Sequence, residues 1–401
     1  MQGRSHTFRR RVCVVVASRA NYARIKTALL AIEQHPALEL QIVAGASLVL
    51  ERFGNAIDVL EADGFDPAAI VRFIIEGETP TTMAKSTGLG LLELPTVFEN
   101  LRPDVVVTIA DRFETVSTAI AAAYMNIPLA HTQGGEVSGS IDESVRHAVT
   151  KLAHLHFPAT EVSRQRIIAM GEDPATVHTT GCPSIDLVAR ADLGAPRSAL
   201  AELNRRGTGA PIDPRKPYLL MMQHPVTTEY GDSLEQINIT LDAVARQGMQ
   251  ALVFWPNVDA GSEAVAKGIR LFRDKGAAHG FHFFRNLQPE LFARLLAHTS
   301  CMVGNSSSGL REGAFLGTPV VTVGSRQRNR EHGRNVVEVS HDVDEIANAI
   351  RAQIEHGPYE RDPLFGDGDA GQRISEILAG PLPAVQKQLS YSIDDLLAAA
   401  P

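Results

Sequence analysis

The hydrophobic and polar positions along the chain repeat one pattern: a short run rich in β-branched residues, a polar or glycine-containing turn, and a longer stretch with helical periodicity. The pattern predicts strands at residues 12–17, 39–44, 105–109, 127–131, 218–222, 251–255, 282–284, 301–303 and 320–323. It predicts helices at residues 21–34, 114–125, 144–155, 233–247, 261–275, 289–298, 309–316 and 370–378. Strands that alternate with helices indicate an α/β protein with parallel sheets.

The predicted elements form two similar halves on either side of residues 195–217. That segment contains prolines, glycines and an arginine pair, a composition typical of a linker. We therefore predict a Rossmann-like domain at residues 1–195, a second one at 196–365, and a helical tail at 366–401 that packs back on the first domain. Two such domains facing each other form a cleft, and ligands in open α/β sheets bind beyond the carboxyl ends of the strands.

Composition and charge narrow the class of protein. The 401 residues are 44% hydrophobic and 21% charged, which excludes a disordered, collagen-like or coiled-coil chain. The net charge is −8, so binding to nucleic acid or to an acidic membrane surface is not expected. Cys13, Cys182 and Cys301 are far apart and form no CxxC pair, which argues against disulfides and structural zinc. No run approaches the roughly 18 apolar residues of a membrane span, and we expect a cytoplasmic protein.

Several familiar cofactor motifs are absent from the sequence. There is no GxGxxG after the first predicted strand and no GxxxxGK followed by Ser or Thr, which argues against a dinucleotide redox cofactor and a Walker-type site. The metal motif HExxH is also missing. His154 and His156 lie two residues apart in or beside a predicted helix, where their side chains diverge, so we interpret both as structural.

Two polar groups follow predicted strands of the first half. Arg19 comes just after strand 12–17 and Lys26 lies a turn or two further on, a basic set that suits an anion. A surface-exposed basic cap would give the same pattern. Asp111 and Arg112 come directly after strand 105–109. Asp111 either faces the cleft or caps the helix that follows it.

The richest cluster follows strand 127–131. Gly134 and Gly135 allow the backbone to approach a ligand closely. Around them the sequence places His131, Gln133, Glu136, Asp142, Glu143, Arg146 and His147. Acids at a helix start also favour the helix macrodipole, but this set exceeds what capping needs. We predict a functional site here.

The second half contributes two further groups. His224 follows strand 218–222, where it either transfers protons or serves as a capping or core histidine. The loop after strand 301–303 contains Asn305, Ser306, Ser307, Ser308 and Gly309. Hydroxyls and free amides suit a phosphate, and Glu312 can accept hydrogen bonds from both hydroxyls of a ribose, although a serine-rich capping loop looks the same. Arg326 adds a cation after the next strand. A phosphate cradle beside a sugar-binding acid, without a Walker lysine, indicates a nucleotide-sugar.

At these motifs the sequence resembles the UDP-N-acetylglucosamine 2-epimerase family, and within it the hydrolysing branch of the sialic-acid pathway. The resembling stretches are residues 111–114, 134–139, 141–147, 181–186, 224–227 and 304–309. The likeness extends from about residue 12 to residue 378. It implies two Rossmann-like domains in the glycosyltransferase-B arrangement, an active site in the cleft, no metal, no nicotinamide cofactor, and a homodimer.

The resemblance also implies a reaction. The C2 proton of the sugar is removed and UDP is expelled, which gives a 2-acetamidoglucal; in the hydrolysing branch water then adds, and N-acetylmannosamine leaves with UDP. Together with the clusters above, the resemblance predicts these catalytic residues: Asp111, Gln133, Glu136, Asp142, Glu143 and His224. It predicts these substrate-binding residues: Arg19, Lys26, Arg112, Arg146, His147, Asn305, Ser306, Ser307, Ser308, Gly309, Glu312 and Arg326.

Three positions depart from the family pattern. Residue 133 is Gln where family members have Glu or His, and an amide cannot exchange a proton at pH 7. Ser47 stands where the hydrolysing branch commonly has His, and Ala110 stands where the usual residue is Gly. The nucleotide-binding motifs are intact, so we expect a retained nucleotide-sugar site with altered sugar chemistry.

The departure at residue 133 leaves several functions open. In a hydrolysing 2-epimerase, proton transfer falls to Asp111, Glu136 or the Asp142/Glu143 pair. The alternatives are a hydrolase that does not epimerise, or an enzyme that acts on a different nucleotide-sugar. A glycosyltransferase of the same architecture and a non-catalytic nucleotide-sugar sensor are further alternatives.

Overall fold

The computed structural model describes residues 9–51, 55–194, 197–213, 215–276 and 279–391. The chain forms two sheets, one from each half of the sequence. Helices cover both faces of each sheet, as the alternating pattern predicts.

The first half surrounds a six-stranded sheet. Its strands are β1 (Arg10–Val16), β2 (Leu38–Gly45), β3 (Ala69–Val71), β4 (Val105–Ile109), β5 (Leu129–Thr132) and β6 (Leu155–Phe157). Its helices are α1 (Arg19–Ala23), α2 (Lys26–Gln34), α3 (Ala56–Ala62), α4 (Pro80–Leu101), α5 (Phe113–Tyr124), α6 (Asp142–Leu152), α7 (Glu161–Ala169) and α8 (Pro183–Arg190). All neighbouring strands are parallel, in the order β3-β2-β1-β4-β5-β6.

The second half surrounds a seven-stranded sheet. Its strands are β7 (Thr208–Gly209), β8 (Tyr218–Met222), β9 (Gln250–Phe254), β10 (Phe281–Phe284), β11 (Cys301–Gly304), β12 (Val320–Val323) and β13 (Val336–Val339). Its helices are α9 (Arg197–Arg206), α10 (Ser233–Ala245), α11 (Ser262–Asp274), α12 (Pro289–His298), α13 (Ser307–Leu310), α14 (Glu312–Leu316) and α15 (Val343–His356), and α16 (Ala370–Ala379) follows. The order is β13-β12-β11-β8-β9-β10-β7, and β7 is antiparallel to β10.

The strands are buried on both faces, which explains their nearly continuous apolar runs. In β1, Val12 and Val14 pack into one hydrophobic cluster while Cys13 and Val15 pack into another on the opposite face. The second sheet is filled in the same way, with Leu219 and Leu220 of β8 in separate clusters. Both sheets are therefore rigid platforms for the loops at their carboxyl ends.

Each sheet has one point at which the strand order reverses, between β1 and β4 in the first half and between β8 and β11 in the second. The loops after these strands are therefore neighbours, and this is the usual ligand position in such sheets. Arg19 follows β1 and Asp111 follows β4. His224 follows β8 and Ser307 follows β11. The topology thus brings the predicted site residues of each half together.

Three predicted elements were wrong in part. The predicted helix at 144–155 ends at Leu152, and Leu155–Phe157 instead forms β6. The predicted helix at 21–34 is interrupted between α1 and α2, where Ile25 is not helical. The predicted helix at 309–316 is divided at Arg311, whose ψ of −73° lies outside an ideal helix.

The predicted linker at 195–217 is not a bare connection. Its described part contains α9 and β7, and β7 extends the second sheet by pairing with β10. Residues 195, 196 and 214 lie outside the described residues. Gly207 and Pro211 flank β7, and Gly209 lies within it.

His154 and His156 form hydrogen bonds with other protein groups, which agrees with their interpretation as structural residues. They lie at the edge of the first sheet, at β6, and not in a helix. The Nε2 atom of His156 lies 3.1 Å from Oε2 of Glu172. The Nε2 atom of His154 lies 2.9 Å from the carbonyl oxygen of Val385. Both contacts fix the polypeptide around β6.

The chain after α15 returns to the first half. Helix α16 packs against α2 and α8. The carboxylate of Asp186 accepts hydrogen bonds from the backbone N–H groups of Ala370, at 2.9 Å, and Gly371, at 2.7 Å. Among the described helices, none combines the length and the apolar character that crossing a bilayer requires.

Candidate active site

A cavity lies in the cleft between the two halves, at the carboxyl ends of both sheets. Polar residues from both halves line it: Arg19, Arg24, Ser184, His224, Asn257, Ser306, Ser307, Ser308, Glu312 and Arg326. Its apolar lining includes Phe254, Leu287 and Phe292. The cavity therefore offers an apolar surface, serine hydroxyls, guanidinium groups and the carboxylate of Glu312.

The serine loop after β11 is built around a helix start. Ser306 caps α13, and its Oγ accepts a hydrogen bond from the backbone N–H of Ser308 at 3.3 Å. Ser307 Oγ accepts a hydrogen bond from Nη2 of Arg24 at 2.7 Å. Gly309 lies against β12, and a Cβ atom there would approach Cγ1 of Val320 to 2.8 Å. Gly309 thus allows the loop to sit close to the sheet, rather than facing the cavity.

His224 is held in one orientation and one tautomer. The carbonyl and the N–H of His224 both bond the Asn305 side chain, at 2.8 Å and 2.7 Å. Its Nδ1 accepts a hydrogen bond from the N–H of Asn257 at 3.2 Å, so the ring proton resides on Nε2. Burial and the nearby guanidinium groups of Arg326 and Arg19 lower the pKa of His224 well below its usual value. His224 is therefore a neutral hydrogen-bond donor near pH 7.

The cations of the first half divide into two groups. Arg19 and Arg24 line the cavity. Lys26 instead pairs with Asp63 at 2.8 Å and with Glu290 at 2.5 Å. The ammonium of Lys26, predicted to bind an anion, is thus engaged by two carboxylates, and Arg24 rather than Lys26 lines the cavity. Arg24 lies in the same basic stretch, five residues after Arg19, and that spacing was the signal available for it.

The acids of the first half are connected to arginines. Asp111 is ion-paired with Arg146, and Nη1 of Arg24 lies 4.0 Å from its other oxygen. Arg146 also donates to the carbonyl oxygen of Glu136 at 2.7 Å. All four residues are buried or half-buried. The carboxylate of Asp111 is thus fixed between two guanidinium groups at the cleft.

Glu136 forms an ionic bridge between the halves. Its Oε2 accepts hydrogen bonds from Arg311 and Arg330, both from the second half. Burial alone would raise the pKa of Glu136, but the guanidinium groups of Arg311 and Arg330 outweigh burial and lower the pKa to about 2. Glu136 stays ionised and so cannot exchange protons near pH 7. Neither Arg311 nor Arg330 is identifiable as a partner of Glu136 from the sequence, since local spacing does not report contacts with the other half.

Asp142 and Glu143 have different surroundings. Glu143 Oε2 accepts a hydrogen bond from the backbone N–H of Ser138 at 2.7 Å, and Oε1 lies 3.7 Å from Nε2 of His147. Glu143 thus anchors the loop before α6. Asp142 is half-buried. Burial and the nearby carboxylate of Asp259 raise the pKa of Asp142, so that it becomes a stronger base than an ordinary aspartate.

Gln133 is fully buried at the carboxyl end of β5. Its backbone N–H donates to the carbonyl oxygen of Phe157 at 2.9 Å. Neither polar atom of its side-chain amide has a protein partner. Its φ of 61° is in the left-handed region. The amide therefore retains both of its hydrogen-bonding functions.

Arg112 is engaged by the protein on every side of its guanidinium group. Its Nε donates to Oε1 of Glu114 at 2.7 Å, and its Nη2 donates to the carbonyl oxygen of Val258 at 2.9 Å. Its Nη1 lies 2.9 Å from Oδ1 of Asp259. Val258 and Asp259 belong to the second half, so Arg112 links the two halves rather than facing the cavity.

The fold and this cavity define a class of enzymes that hold a nucleotide-sugar in the cleft between two Rossmann-like domains. The family model described as UDP-N-acetylglucosamine 2-epimerase matches residues 30–379, and the chain belongs to this family. The family that the sequence motifs indicated is thereby confirmed.

Two relatives and one solved structure illustrate the similarity. The chain is 32% identical over 369 residues to a UDP-N,N'-diacetylbacillosamine 2-epimerase (hydrolyzing) of Legionella pneumophila, which covers 92% of this chain and 95% of that protein. It is 29% identical over 376 residues to a UDP-N-acetylglucosamine 2-epimerase of Neisseria meningitidis, with 93% and 96% covered. The fold matches that of a Methanocaldococcus jannaschii UDP-GlcNAc 2-epimerase in complex with UDP-GlcNAc and UDP, with a TM-score of 0.76, 17% identity, and 92% and 99% of the chains covered. The glycosyltransferase-B-like fold is confirmed.

Proposed function

We propose that the protein is a hydrolysing nucleotide-sugar 2-epimerase, which converts a UDP-linked 2-acetamido sugar and water into UDP and a free 2-acetamido sugar. The observation that carries the proposal is the cavity that joins the serine loop and Glu312 of one half to Arg19 and Arg24 of the other. Arg24 lies 4.0 Å from Asp111, and Arg326, which also lines the cavity, acts electrostatically on Asp142, so we place the sugar beside these two acids. The hydrolysing relative from Legionella supports the choice of the hydrolysing branch.

The lining of the cavity suits each part of a nucleotide. Phe254, Leu287 and Phe292 offer an apolar surface for the flat base. Glu312 suits the ribose, because its Oε2 is buried without a protein partner and can accept hydrogen bonds from hydroxyl groups. The diphosphate would then lie between the serine hydroxyls and the guanidinium groups, which bind phosphate strongly.

Proton removal from C2 requires a base, and a comparison of the nearby acids favours Asp142. Glu136 is held ionised by two arginines, and Asp111 is paired with Arg146, so both carboxylates are weak bases. Glu143 is occupied by the Ser138 backbone and His147. Asp142 has its pKa raised by burial and by Asp259, which strengthens it as a base.

The proposed reaction has two steps. Asp142 takes the C2 proton, the C2–H electrons form a C1–C2 double bond, and the C1–oxygen bond to the diphosphate breaks, so UDP leaves with that electron pair. The neutral His224 and the arginines stabilise the departing diphosphate by hydrogen bonds and charge. In the second step, water supplies hydroxyl to C1 and a proton to C2, the free sugar forms, and Asp142 returns its proton to the solvent. The configuration at C2 depends on the face from which that proton arrives.

UDP release without an acceptor tests this function. The purified protein is incubated separately with UDP-N-acetylglucosamine and UDP-N,N'-diacetylbacillosamine, and UDP is measured by chromatography. We expect UDP and an equal amount of free sugar from one of them. Saturable binding without UDP release would favour a sensor. Turnover only on adding a sugar acceptor would favour a glycosyltransferase.

We also propose that the protein is a cytoplasmic homodimer. Helices α4 and α5 pack side by side. They expose Leu92 and Tyr124, at 72% and 87% of their surface, and such side chains suit a subunit interface. Light scattering coupled to size-exclusion chromatography tests this, with a mass near twice 43.3 kDa expected. A mass of one chain at micromolar concentration would contradict it.

A further inference from the structure

The loop between β9 and α11, residues 255–261, crosses the cleft and contacts the first half; we name it the crossing loop. Arg19 donates to the carbonyl oxygen of Trp255 at 3.1 Å. Arg112 donates to the carbonyl oxygen of Val258 at 2.9 Å. The N–H of Gly261 donates to the carbonyl oxygen of Glu78 at 3.0 Å. The crossing loop therefore joins the loops after β1 and β4 to the segment before α4.

Asp259 supplies the carboxylate of the crossing loop. It is buried, and its Oδ1 lies 2.9 Å from Nη1 of Arg112. Its own backbone N–H donates to Oγ of Ser262 at 2.7 Å, which fixes the turn of the loop. On the first half, Glu114 holds the Nε side of the same guanidinium group at 2.7 Å. Arg112 is thus clamped between a carboxylate of its own half and a carboxylate of the other.

This clamp is connected to Asp111 and Asp142, the two acids that the proposed function places beside the sugar. Arg112 directly follows Asp111, and both follow the left-handed turn at Ala110, whose φ is 59°. Four groups act on the charge of Asp142: the carboxylate of Asp259 and the guanidinium of Arg326 from the second half, and Arg112 and Ser140 from the first. Two of the four leave when the halves separate.

We propose that Asp259 is a positioning residue that, through Arg112, couples closure of the cleft to the placement and activity of Asp111 and Asp142. The inference rests on the function proposed above, in which Asp142 removes the C2 proton. Closure brings Asp259 onto Arg112, which fixes the turn that carries Asp111. It also places a second negative charge near Asp142.

The second effect has a clear electrostatic direction. Burial, followed by the carboxylate of Asp259, raises the pKa of Asp142, while Arg326 and Arg112 lower it. In an open cleft, water would replace Asp259, and the pKa of Asp142 would return towards its ordinary value. Asp142 is then a stronger base when the cleft is closed around the sugar than when it is open.

The test is the substitution Asp259→Asn, with UDP release followed from pH 4 to pH 9. Removing the negative charge lowers the pKa of Asp142, so the acid limb of kcat should move to lower pH. The weaker, less well placed base should lower the plateau of kcat by about 10- to 100-fold. KM should change by less than about threefold, since Asp259 does not contact the nucleotide end of the cavity.

Two further variants separate positioning from a general loss of structure. Asp259→Glu keeps the charge and should restore the position of the acid limb. Glu290→Gln is the matched control, because it breaks another ion pair across the cleft, Lys26 with Glu290 at 2.5 Å, that does not include Arg112. It should leave the acid limb in place. A fall in kcat without movement of the limb in Asp259→Asn would overturn the proposal.

A measurement that needs no turnover distinguishes this inference from the proposed function. The protein is labelled with 13C at aspartate carboxyl groups, saturated with UDP, and titrated; the Asp142 signal is the one that Asp142→Asn removes. We expect its midpoint to lie at lower pH in Asp259→Asn than in the unmodified protein. Equal midpoints overturn the role of Asp259. Absence of UDP release in the unmodified protein, with unequal midpoints, overturns the proposed function alone.

Discussion

Left-handed backbone turns follow three strands of the first sheet. Ala46, Ala110 and Gln133 have φ angles of 48°, 59° and 61°, directly after β2, β4 and β5. A residue with a Cβ atom pays about 1–2 kcal/mol in this region. Ala110 and Gln133 are two of the departures noted in the sequence, and Ala46 precedes the third, Ser47. The unusual residues therefore lie in strained turns at the sheet edge, where functional strain is common.

Restoring a titratable group at residue 133 should change the sugar chemistry. In Gln133→Glu, the amide with no protein partner becomes a carboxyl group that can exchange a proton. We expect the ratio of the two C2 epimers in the product to change by about tenfold or more. Proton NMR of the free sugar measures it. The same product ratio in both proteins would show that Gln133 does not face the sugar.

Arg24 and Lys26 offer a matched pair of substitutions. Arg24 lines the cavity and bonds Ser307, whereas Lys26 pairs with Asp63 and Glu290. Arg24→Gln should weaken UDP binding by about 1.5–3 kcal/mol, as expected for a hydrogen bond to a charged group. Lys26→Gln should weaken it by less than about 1 kcal/mol. Isothermal titration calorimetry with UDP checks both, and the reverse order would restore Lys26 to the phosphate site.

Glu136 should matter for stability more than for proton transfer. In Glu136→Gln the buried guanidinium groups of Arg311 and Arg330 lose their shared carboxylate. Leaving buried charge unpaired costs about 3–5 kcal/mol, so the free energy of unfolding should fall by that amount. Glu263→Gln breaks the exposed pair with Arg270 and should change it by less than about 1 kcal/mol. Urea unfolding measures both; equal small effects would contradict the ionic bridge.

Strands were easier to predict than helices and their ends. A strand buried on both faces, such as β4, has an unbroken apolar run that hardly any other element shares. Helix α4 escaped prediction because Gly88, Gly90 and Pro95 interrupt its helical pattern. Its capping box at Thr79 and Thr82 was the signal that remained. β6 escaped because the apolar spacing of α6 continues into it.

The site was predictable where a motif follows a strand and unpredictable where contacts cross the cleft. The serine loop and Asp111 lie at the carboxyl ends of strands, so topology alone places them. Arg311, Arg330 and Asp259 matter through partners in the other half. Neither spacing nor composition reports such pairings. The sequence also could not show that the guanidinium group of Arg112 is paired with Asp259.

The tail after α16 is fastened to the first half by a buried carboxylate. Glu172 pairs with Lys151 at 2.5 Å, with Lys387 of the tail at 2.6 Å, and with His156 at 3.1 Å. Burial would raise the pKa of Glu172, but His156 and the two lysines outweigh burial and lower it to about 2. A lowered carboxyl pKa stabilises the fold above the ordinary pKa. That contribution is lost as the pH falls from about 4.5 towards about 2.

Glu172→Gln should therefore loosen the tail. It removes the shared carboxylate of two partly exposed lysines, so we expect the free energy of unfolding at pH 7 to fall by about 1.5–3 kcal/mol, as for hydrogen bonds to a charged group. The difference between the two proteins should shrink as the pH approaches about 2, where Glu172 itself becomes protonated. Thermal unfolding at several pH values measures this. A difference that stays constant with pH would contradict the assignment.

At the scale of the whole molecule, the two halves meet through contacts of two kinds. Around α8 the contact is apolar: Ile185 and Val188 cluster with Ala293, Phe315 and Phe365. Across the cleft the contacts are ionic or hydrogen-bonded, as in Arg112–Asp259 and Lys26–Glu290. Polar contacts can exchange with water at small net cost, so we expect the halves to open at the cleft while α8 remains packed. Closure would then exclude water from the reacting sugar.

The central claim is that closure around a nucleotide-sugar leads to removal of its C2 proton and loss of UDP. NMR of the reaction in D2O tests it most directly, with the sugar-nucleotide that supports UDP release as substrate. We expect every free sugar released to carry deuterium at C2, and Asp142→Asn to lower the rate by at least about 100-fold. Free sugar that retains its C2 proton, released together with UDP, would contradict the claim and indicate direct hydrolysis.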